Sequence, residues 1–151
     1  MIPSKTLNAL QTGFGHFGVA SKENKTRHVD TLGSRFDQSN DIISCFFIKD
    51  ECVEIIKFLN NSGRVSLFVG MVSHEAYNFK GKFIECFDLS VDDIEYSKNY
   101  LKNVMETVEN LGLPREAVLN KYDMVPDIGI RFKVDKVFVQ TPGPEAGKEI
   151  M

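Results

Sequence analysis

The sequence predicts an α+β domain built on a six-stranded, mainly antiparallel β-barrel with flanking helices. The predicted elements follow one another in the order helix, three strands, helix, two strands, helix, strand. Doubly wound parallel folds need a helix after nearly every strand, and no helix separates the first three strands here. No linker or repeat divides the chain of 151 residues, so residues 1–151 are expected to form a single domain.

The first half of the chain begins with a short predicted helix over residues 4–11, which Ser4 can cap. A second helix is expected to begin at Asp50, as its N-cap, and to end near residue 60, before Gly63. Polar segments rich in turn-forming residues punctuate the rest of this half. Strands are predicted over 13–21, 26–36 and 42–48.

The longest predicted helix covers residues 91–111. Ser90 and Asp93 match the S-x-x-D capping box, and Gly112 marks the end of the helix. Apolar side chains at helical spacing form one stripe along it, consisting of Ile94, Leu101, Val104, Val108 and Leu111. The remaining strands are predicted over 65–72, 79–89 and 130–138.

The predicted strands differ in how their side chains alternate. Segments 42–48 and 65–72 are apolar almost throughout, so both faces of each strand are expected to be covered. Segment 79–89 alternates instead, which predicts one apolar and one polar face. The apolar face is expected to hold Phe79, Phe83, Phe87 and Leu89, and the polar face Lys80, Lys82 and Asp88.

Charge and composition exclude several classes of function. The net charge of −3 argues against a general nucleic-acid binder, which usually has a basic face, although a phosphate ligand needs only a few cations. No secretory pattern opens the chain, and no apolar run approaches the length of a membrane span. Cys45, Cys52 and Cys86 are odd in number and lack C-x-x-C spacing, which indicates reduced thiols in a cytoplasmic protein.

One glycine motif imitates a nucleotide-binding fingerprint. Residues 13–18 match G-x-G-x-x-G, which binds a pyrophosphate when a strand precedes it and a helix N-terminus follows it. Here a predicted helix precedes the motif, and a short strand and a polar turn follow it. We therefore interpret these glycines as part of a first barrel strand, where small residues let a backbone or a ligand approach closely.

Several segments, taken in chain order, carry a resemblance to a known family. They include Arg27-His28-Val29, Phe46-Phe47-Ile48 and the tail Thr141-Pro142-Gly143-Pro144-Glu145-Ala146-Gly147. Over roughly residues 5–147 the chain resembles the FMN-binding split β-barrels of the pyridoxamine-5′-phosphate-oxidase-like superfamily. The arginine-rich C-terminal signature of true pyridoxamine-phosphate oxidases has no counterpart, so vitamin B6 oxidation is not expected.

The resemblance implies FMN as cofactor and a candidate site for its phosphate. Arg27 would bind the phosphate through its planar donor fork, with His28 at the phosphate or flavin edge and Val29 beside the ring. Lys49 lies near the position where the family supplies further phosphate ligands, although Asp50 follows it here. The alternative is that Arg27 and Lys49 are ordinary solvated surface cations.

The flavin ring needs an apolar slot, and the resemblance implies one wall of it. Phe46, Phe47 and Ile48 are expected to form that wall, although core packing alone explains an apolar strand equally well. Tyr77 is expected to stack on the flavin, or to donate a hydrogen bond to it, from a partner subunit. The histidines have no compact metal-ligand spacing, and no nucleophile elbow indicates Ser-His-Asp catalysis, so neither a metal site nor catalytic residues are predicted.

Three functions remain open at this stage. The first is an FMN-dependent oxidoreductase acting on an unidentified small substrate, and the second is a flavin carrier or sensor without catalysis. The third is a split barrel that has lost the flavin and binds haem or a protein partner. In the family that the sequence resembles, the flavin lies between two subunits, so we expect a homodimer with two FMN sites.

Overall fold

Seven antiparallel strands form one sheet in the computed structural model, which describes residues 2–117 and 123–151. Along the sheet the strands lie in the order β2-β1-β5-β6-β7-β4-β3. The strands are β1 (Phe14–Ala20), β2 (Thr26–Asp30), β3 (Ser34–Asp37), β4 (Ile42–Phe47), β5 (Arg64–Gly70), β6 (Ala76–Phe87) and β7 (Ile128–Val139). The α-helices are α1 (Ser4–Thr12), α2 (Val53–Ser62) and α3 (Val91–Asn110).

The sheet has seven strands rather than the predicted six because segment 26–36 is broken in the middle. The Thr31 N–H donates to the Gly15 carbonyl of β1 at 2.9 Å, and the Leu32 N–H donates to the Phe46 carbonyl of β4 at 2.8 Å. Residues 31–33 therefore cross from one end of the sheet to the other, with Gly33 at φ +124°. The sheet curls into a barrel that stays open between its edge strands β2 and β3. Among the described residues the crossover joins these two strands, and no ladder of paired strands does.

The helices follow the predicted bounds closely, but the side-chain caps predicted for α1 and α2 are both wrong. Ser4 is the first residue of α1, after Pro3, and no side chain caps that helix. Ser90 and Asp93 form the complete capping box of α3, as predicted. The predicted Asp50 cap of α2 is wrong, because Lys49–Cys52 form a 3-10 turn and α2 begins at Val53 with no side-chain cap. Gly63 ends α2 in the left-handed conformation, at φ +68°.

A β-bulge changes the faces of β6. Phe79 and Phe83 point toward the barrel interior, as predicted, where Phe83 lies opposite the buried Phe132 of β7. The register shifts between Phe83 and Glu85, so an extra residue reverses the alternation that follows. Phe87 therefore lies on the outer face, contrary to the prediction, and packs against the guanidinium of Arg131 at 3.7 Å.

The tail motif forms a reverse turn that returns the chain to β7. Gly147 N–H donates to the Val139 carbonyl at 2.8 Å, and the N–H groups of Val139 and Val137 donate to residues after the turn. Glu149 consequently lies opposite Phe138. Residues 148–151 therefore form a short extra segment that runs antiparallel beside the end of β7.

Two apolar clusters hold the fold. The larger cluster fills the barrel interior and includes Phe17, Leu67 and Phe132, with α1 and α2 packed around it. The smaller cluster lies under α3, where Leu101, Val104 and Val108 pack on Leu32 of the crossover. No helix within residues 2–117 and 123–151 is long and apolar enough to cross a membrane.

Candidate functional site

The candidate site is a groove on the outer face of the sheet, across β2, β1, β5 and β6. Its cavity has a volume of about 420 Å³ and opens to solvent. Strand register explains its composition, because residues directly opposite one another in antiparallel strands point to the same face. His28, Gly18, Ser66 and Lys80 lie opposite one another in a single row across the four strands.

Gly18 forms the floor of this groove. It has no side chain, and a Cβ built there would lie 3.4 Å from the Ser66 carbonyl oxygen, in ordinary contact. Ala20, the next outward-facing residue of β1, also lines the cavity. Small residues on this strand leave space between the longer side chains of His28 on one side and Lys80 on the other. The interpretation of the first glycines as a permissive barrel strand fits this arrangement.

The polar groups of the groove favour an anionic ligand. Its lining includes the basic residues Arg27, Arg64 and Lys80, together with His28, and it includes no aspartate or glutamate. Lys80 extends over the Phe138 ring, with its Nζ 5.0 Å from the ring centroid. Ser66 donates its hydroxyl hydrogen to Asn78 Oδ1 at 2.7 Å. Cations unopposed by carboxylates in a concave surface concentrate anions there.

Arg64 is held at one end of the groove by the turn between β1 and β2. Its Nη2 donates to the Ser21 carbonyl and to Asn24 Oδ1, the latter at 3.1 Å. Asn24 adopts a left-handed conformation at φ +62°, which places its amide side chain within reach of Arg64. Both acceptors are neutral, so the positive charge of Arg64 stays uncompensated by them.

Arg27 borders the groove but its side chain points elsewhere. It lies opposite the buried Val19, so its side chain projects toward the same side of the sheet as the core. Its guanidinium carbon lies 5.4 Å from the Phe58 ring centroid of α2, and Nη1 donates to the Thr26 carbonyl. Of the two neighbouring residues predicted to meet the phosphate, His28 is therefore the one aligned with the row that crosses the groove.

The predicted flavin wall on β4 lies away from the groove. Phe46 and Phe47 are both fully buried, on opposite sides of the strand. Phe47 packs on Phe17 in the barrel interior, with ring centroids 5.2 Å apart, whereas Phe46 contacts Tyr96 of α3 at 6.0 Å. Ile48 packs partly buried against the cluster under α3. In the single chain, packing accounts for all of these contacts.

The three other predicted site residues are also separate from the groove. Val29 is partly buried against the barrel core. Lys49 opens the 3-10 turn before α2, and its backbone N–H donates to Asp127 Oδ1 at 2.7 Å. Tyr77 is buried near α1, and its hydroxyl donates to Glu75 Oε1 at 2.8 Å. The structure thus brings Arg27 and His28 to the groove and places the remaining predicted residues elsewhere.

Sequence reasoning did not single out Arg64, Ser66 and Lys80 as site residues. The signal was present in β5, whose sequence RVSLFVG alternates so that Arg64, Ser66 and Phe68 share the outer face. Segment 65–72 was instead expected to be covered on both faces. That expectation is wrong for the outer face of β5. Phe68 is the one large apolar side chain on that face, and it is 36% exposed.

Among the described residues, neither a metal-ligand cluster nor a thiol of lowered pKa accompanies the groove. No group of three or more histidine, cysteine, aspartate or glutamate residues within the described part of the chain can hold a metal ion. Burial raises the pKa of the Cys45 thiol to about 12, and it raises that of Cys52 to a similar value. Both thiols therefore stay protonated at neutral pH and lack nucleophilic character.

Comparisons with known proteins identify the fold. Neither a comparison with protein-family models nor one with curated proteins finds a match to the sequence. Among solved structures, HupZ of Group A Streptococcus is similar over 97% of this chain and 100% of its own, with 13% identity and a TM-score of 0.60.

Two further solved structures share this architecture. An FMN-binding protein from Syntrophomonas wolfei has 12% identity and a TM-score of 0.52, over 88% of this chain and 80% of its own. A protein related to general stress protein 26, of the pyridoxinephosphate oxidase family, from Clostridium acetobutylicum has 6% identity and a TM-score of 0.53, over 92% and 86%. This chain therefore has the split β-barrel fold found in FMN-binding proteins and in the pyridoxinephosphate oxidase family.

Proposed function

We propose that this protein binds FMN in the groove and acts as a flavin-dependent oxidoreductase. The observation that carries the proposal is the row of His28, Gly18, Ser66 and Lys80, in a concave surface whose lining has cations and no carboxylate. A phosphate monoester carries about −1.5 to −2 charges at neutral pH, which this lining can balance. The cavity of about 420 Å³ lies within the range of small-ligand sites, roughly 300–1,000 Å³.

The chain's own residues would bind and orient the cofactor. Lys80 offers the phosphate a flexible ammonium donor, and the imidazole of His28 offers a second donor across the Gly18 floor. Arg27 borders the same groove from the edge strand β2, and to add a bidentate contact its guanidinium would leave the Phe58 ring and fold around the edge of that strand. Bound FMN would supply the redox chemistry, and the protein would supply its position.

The test is a titration that separates the phosphate from the flavin ring. FMN and riboflavin share the ring, and only FMN carries the phosphate. Lys80→Ala and Arg27→Ala should each weaken FMN binding by roughly ten- to a hundredfold, because a charge-assisted hydrogen bond contributes ~1.5–3 kcal/mol. Riboflavin affinity should stay unchanged in both variants. Flavin fluorescence measures each dissociation constant.

The control for this titration is Lys98→Ala, which removes an exposed cation from α3, away from the groove. Unchanged FMN affinity in a folded Lys80→Ala variant would remove Lys80 from the site, and the same result for Arg27→Ala would leave Arg27 to its packing on Phe58. Failure of FMN to bind the wild-type protein would favour the flavin-free alternative. Steady turnover with NADH or NADPH separates an oxidoreductase from a flavin carrier or sensor.

We further propose that the functional form is a homodimer. The expected reason was that β4 and β5 are apolar on both faces, but α3 and the barrel interior already cover β4. The reason that the structure supports is different: Phe68 and Phe138 flank Asn78 on the outer face beside the groove. A two-fold axis would use such a patch twice and produce two equivalent clefts.

Light scattering on a sample of known flavin content tests the dimer. We expect a mass of about twice the 17.1 kDa of one chain, with one FMN bound per chain. Phe68→Asp should shift the protein toward the monomer, because it places a charge in the apolar patch. A monomer of 17.1 kDa that holds FMN tightly would show that the site is complete within one chain.

A further inference from the structure

A strip of basic side chains begins in the groove lining, with Arg64 and Lys80, and continues along the outer face across β6 to β7. We call these residues the basic strip: Arg64, Lys80, Lys82, Lys133 and Lys136. Arg64, Lys82 and Lys133 lie opposite one another in one row, and Lys80 and Lys136 lie opposite each other in the adjacent row. Two inter-strand spacings separate the outer members of the first row, a span of about 10 Å.

This arrangement places like charges in direct opposition. Lys82 has a cation opposite it on both sides, Arg64 on β5 and Lys133 on β7. Residues directly opposite in antiparallel strands have Cβ atoms about 4.5–5.5 Å apart, and like charges at that separation destabilise the sheet. An anionic ligand bound across these strands would relieve that repulsion.

Carboxylates of the chain leave most of the strip uncompensated. Lys136 pairs with Glu149 at 2.9 Å, but within residues 2–117 and 123–151 Lys80, Lys82 and Lys133 form no ion pair. Arg131, elsewhere on the outer face, differs because it pairs with Glu85 at 2.6 Å. The fold therefore supplies carboxylate partners for Lys136 and Arg131 and leaves Lys80, Lys82 and Lys133 without one among the described residues.

We propose that the basic strip is a second anion subsite, which binds a phosphate or carboxylate group of the substrate beside the cofactor phosphate. Lys82 and Lys133 form its centre, because they are the members of the basic strip that lie outside the groove lining and lack a carboxylate partner in the described part of the chain. Lys80 lies between the groove and the subsite and can contact either anion. The substrate is thereby assigned to the class of small anionic molecules, and this assignment rests on the proposed FMN site for its redox role.

The subsite can be tested by calorimetric titration with two probe anions, inorganic tripolyphosphate and citrate, at constant ionic strength. Each titration is carried out on FMN-free protein and on FMN-saturated protein. We expect tripolyphosphate to bind the FMN-saturated protein, and Lys82→Ala/Lys133→Ala to weaken that binding at least tenfold. The ratio of the tripolyphosphate and citrate affinities distinguishes a phosphate subsite from a carboxylate subsite.

The matched control is Lys98→Ala/Lys102→Ala, which removes two exposed lysines from α3 and should leave both probe affinities unchanged. Lys82→Ala/Lys133→Ala should leave FMN affinity within about threefold of wild type. At physiological salt, screening limits the range of the electrostatic interaction between exposed charges to about 8 Å. Equal tripolyphosphate affinity in this variant and in wild type would overturn the subsite, and so would complete displacement of tripolyphosphate by FMN.

Failure of the cofactor proposal gives a different result. If FMN does not bind, tripolyphosphate should still bind the FMN-free protein and still depend on Lys82 and Lys133. The subsite would then stand without the flavin. Conversely, FMN binding that depends on Lys80 while no probe anion binds the FMN-saturated protein would support the cofactor site and reject the subsite.

Discussion

The outer surface of the barrel has a covered half and a bare half, and the two use polar residues in opposite ways. In the covered half, α3 lies over the crossover and β4, and its hydroxyl groups donate to backbone carbonyls of the crossover, of β3 and of the residue before β1. Tyr100 donates to Gly13 at 2.9 Å, Ser97 to Leu32 at 2.5 Å and Tyr96 to Ser34 at 2.9 Å. In the bare half, no helix within residues 2–117 and 123–151 lines the groove, and its cations are exposed to solvent.

Charge compensation shows the same contrast. In the covered half, Arg35 donates to Asp93, the residue that also completes the capping box of α3. In the bare half, Lys80 and Lys82 lie opposite other cations and neutral residues. Polar groups that serve only packing are satisfied within the fold, because an unpaired buried polar group is costly. The cations of the bare half are exposed and hydrated instead, and their concentration on one surface is what favours an anionic ligand.

The largest expected effect that tests this contrast is on stability, from Phe46→Ala in the covered half. Phe46 is fully buried beneath α3, and truncation of such a side chain typically costs ~3–5 kcal/mol through lost burial and the cavity that remains. Phe68→Ala in the bare half is the matched control. Because Phe68 is 36% exposed, we expect that variant to lose only ~1–2 kcal/mol. Urea denaturation measures both free energies of unfolding.

This pair of variants also tests the predicted flavin wall. If Phe46 contributes only to packing, FMN affinity per folded molecule should be unchanged in Phe46→Ala. A lower FMN affinity of the folded Phe46→Ala protein would instead place β4 at the flavin, as the family resemblance implies. Equal destabilisation by Phe46→Ala and Phe68→Ala would contradict the division into a covered and a bare half.

The fold was largely predictable from the sequence because its signals are local. The capping box at Ser90 and Asp93 and the terminal glycine of α2 each act within one turn of a helix. The crossover at residues 31–33 was not predictable, since its hydrogen-bond partners at Gly15 and Phe46 lie far away in sequence. The bulge in β6 was missed for the same reason: only pairing with β7 defines it.

The site was less predictable than the fold because strand pairing creates it. Lys80, Ser66, Gly18 and His28 belong to four different strands, and no spacing in the sequence relates them. Arg27 and His28 were selected through resemblance, which identifies a segment and not the direction of each side chain. Register then separates these neighbours, because Arg27 lies opposite buried Val19 and His28 lies opposite Gly18 on the outer face.

The smallest expected effect is a gain in stability from Lys82→Glu in the bare half. The change converts two opposed like-charge pairs, with Arg64 and with Lys133, into pairs of opposite charge. Cross-strand pairs typically contribute ~0.2–1 kcal/mol, so the free energy of unfolding should rise by a few tenths to ~1 kcal/mol at low salt. High salt should remove most of the gain, because these side chains are exposed. Lys98→Glu on α3 controls for the change in net charge.

The same Lys82→Glu variant should bind tripolyphosphate more weakly, so stability and anion binding would move in opposite directions. A variant that is less stable than wild type at low salt would show that the basic strip is compensated within the fold and is not held open for a ligand.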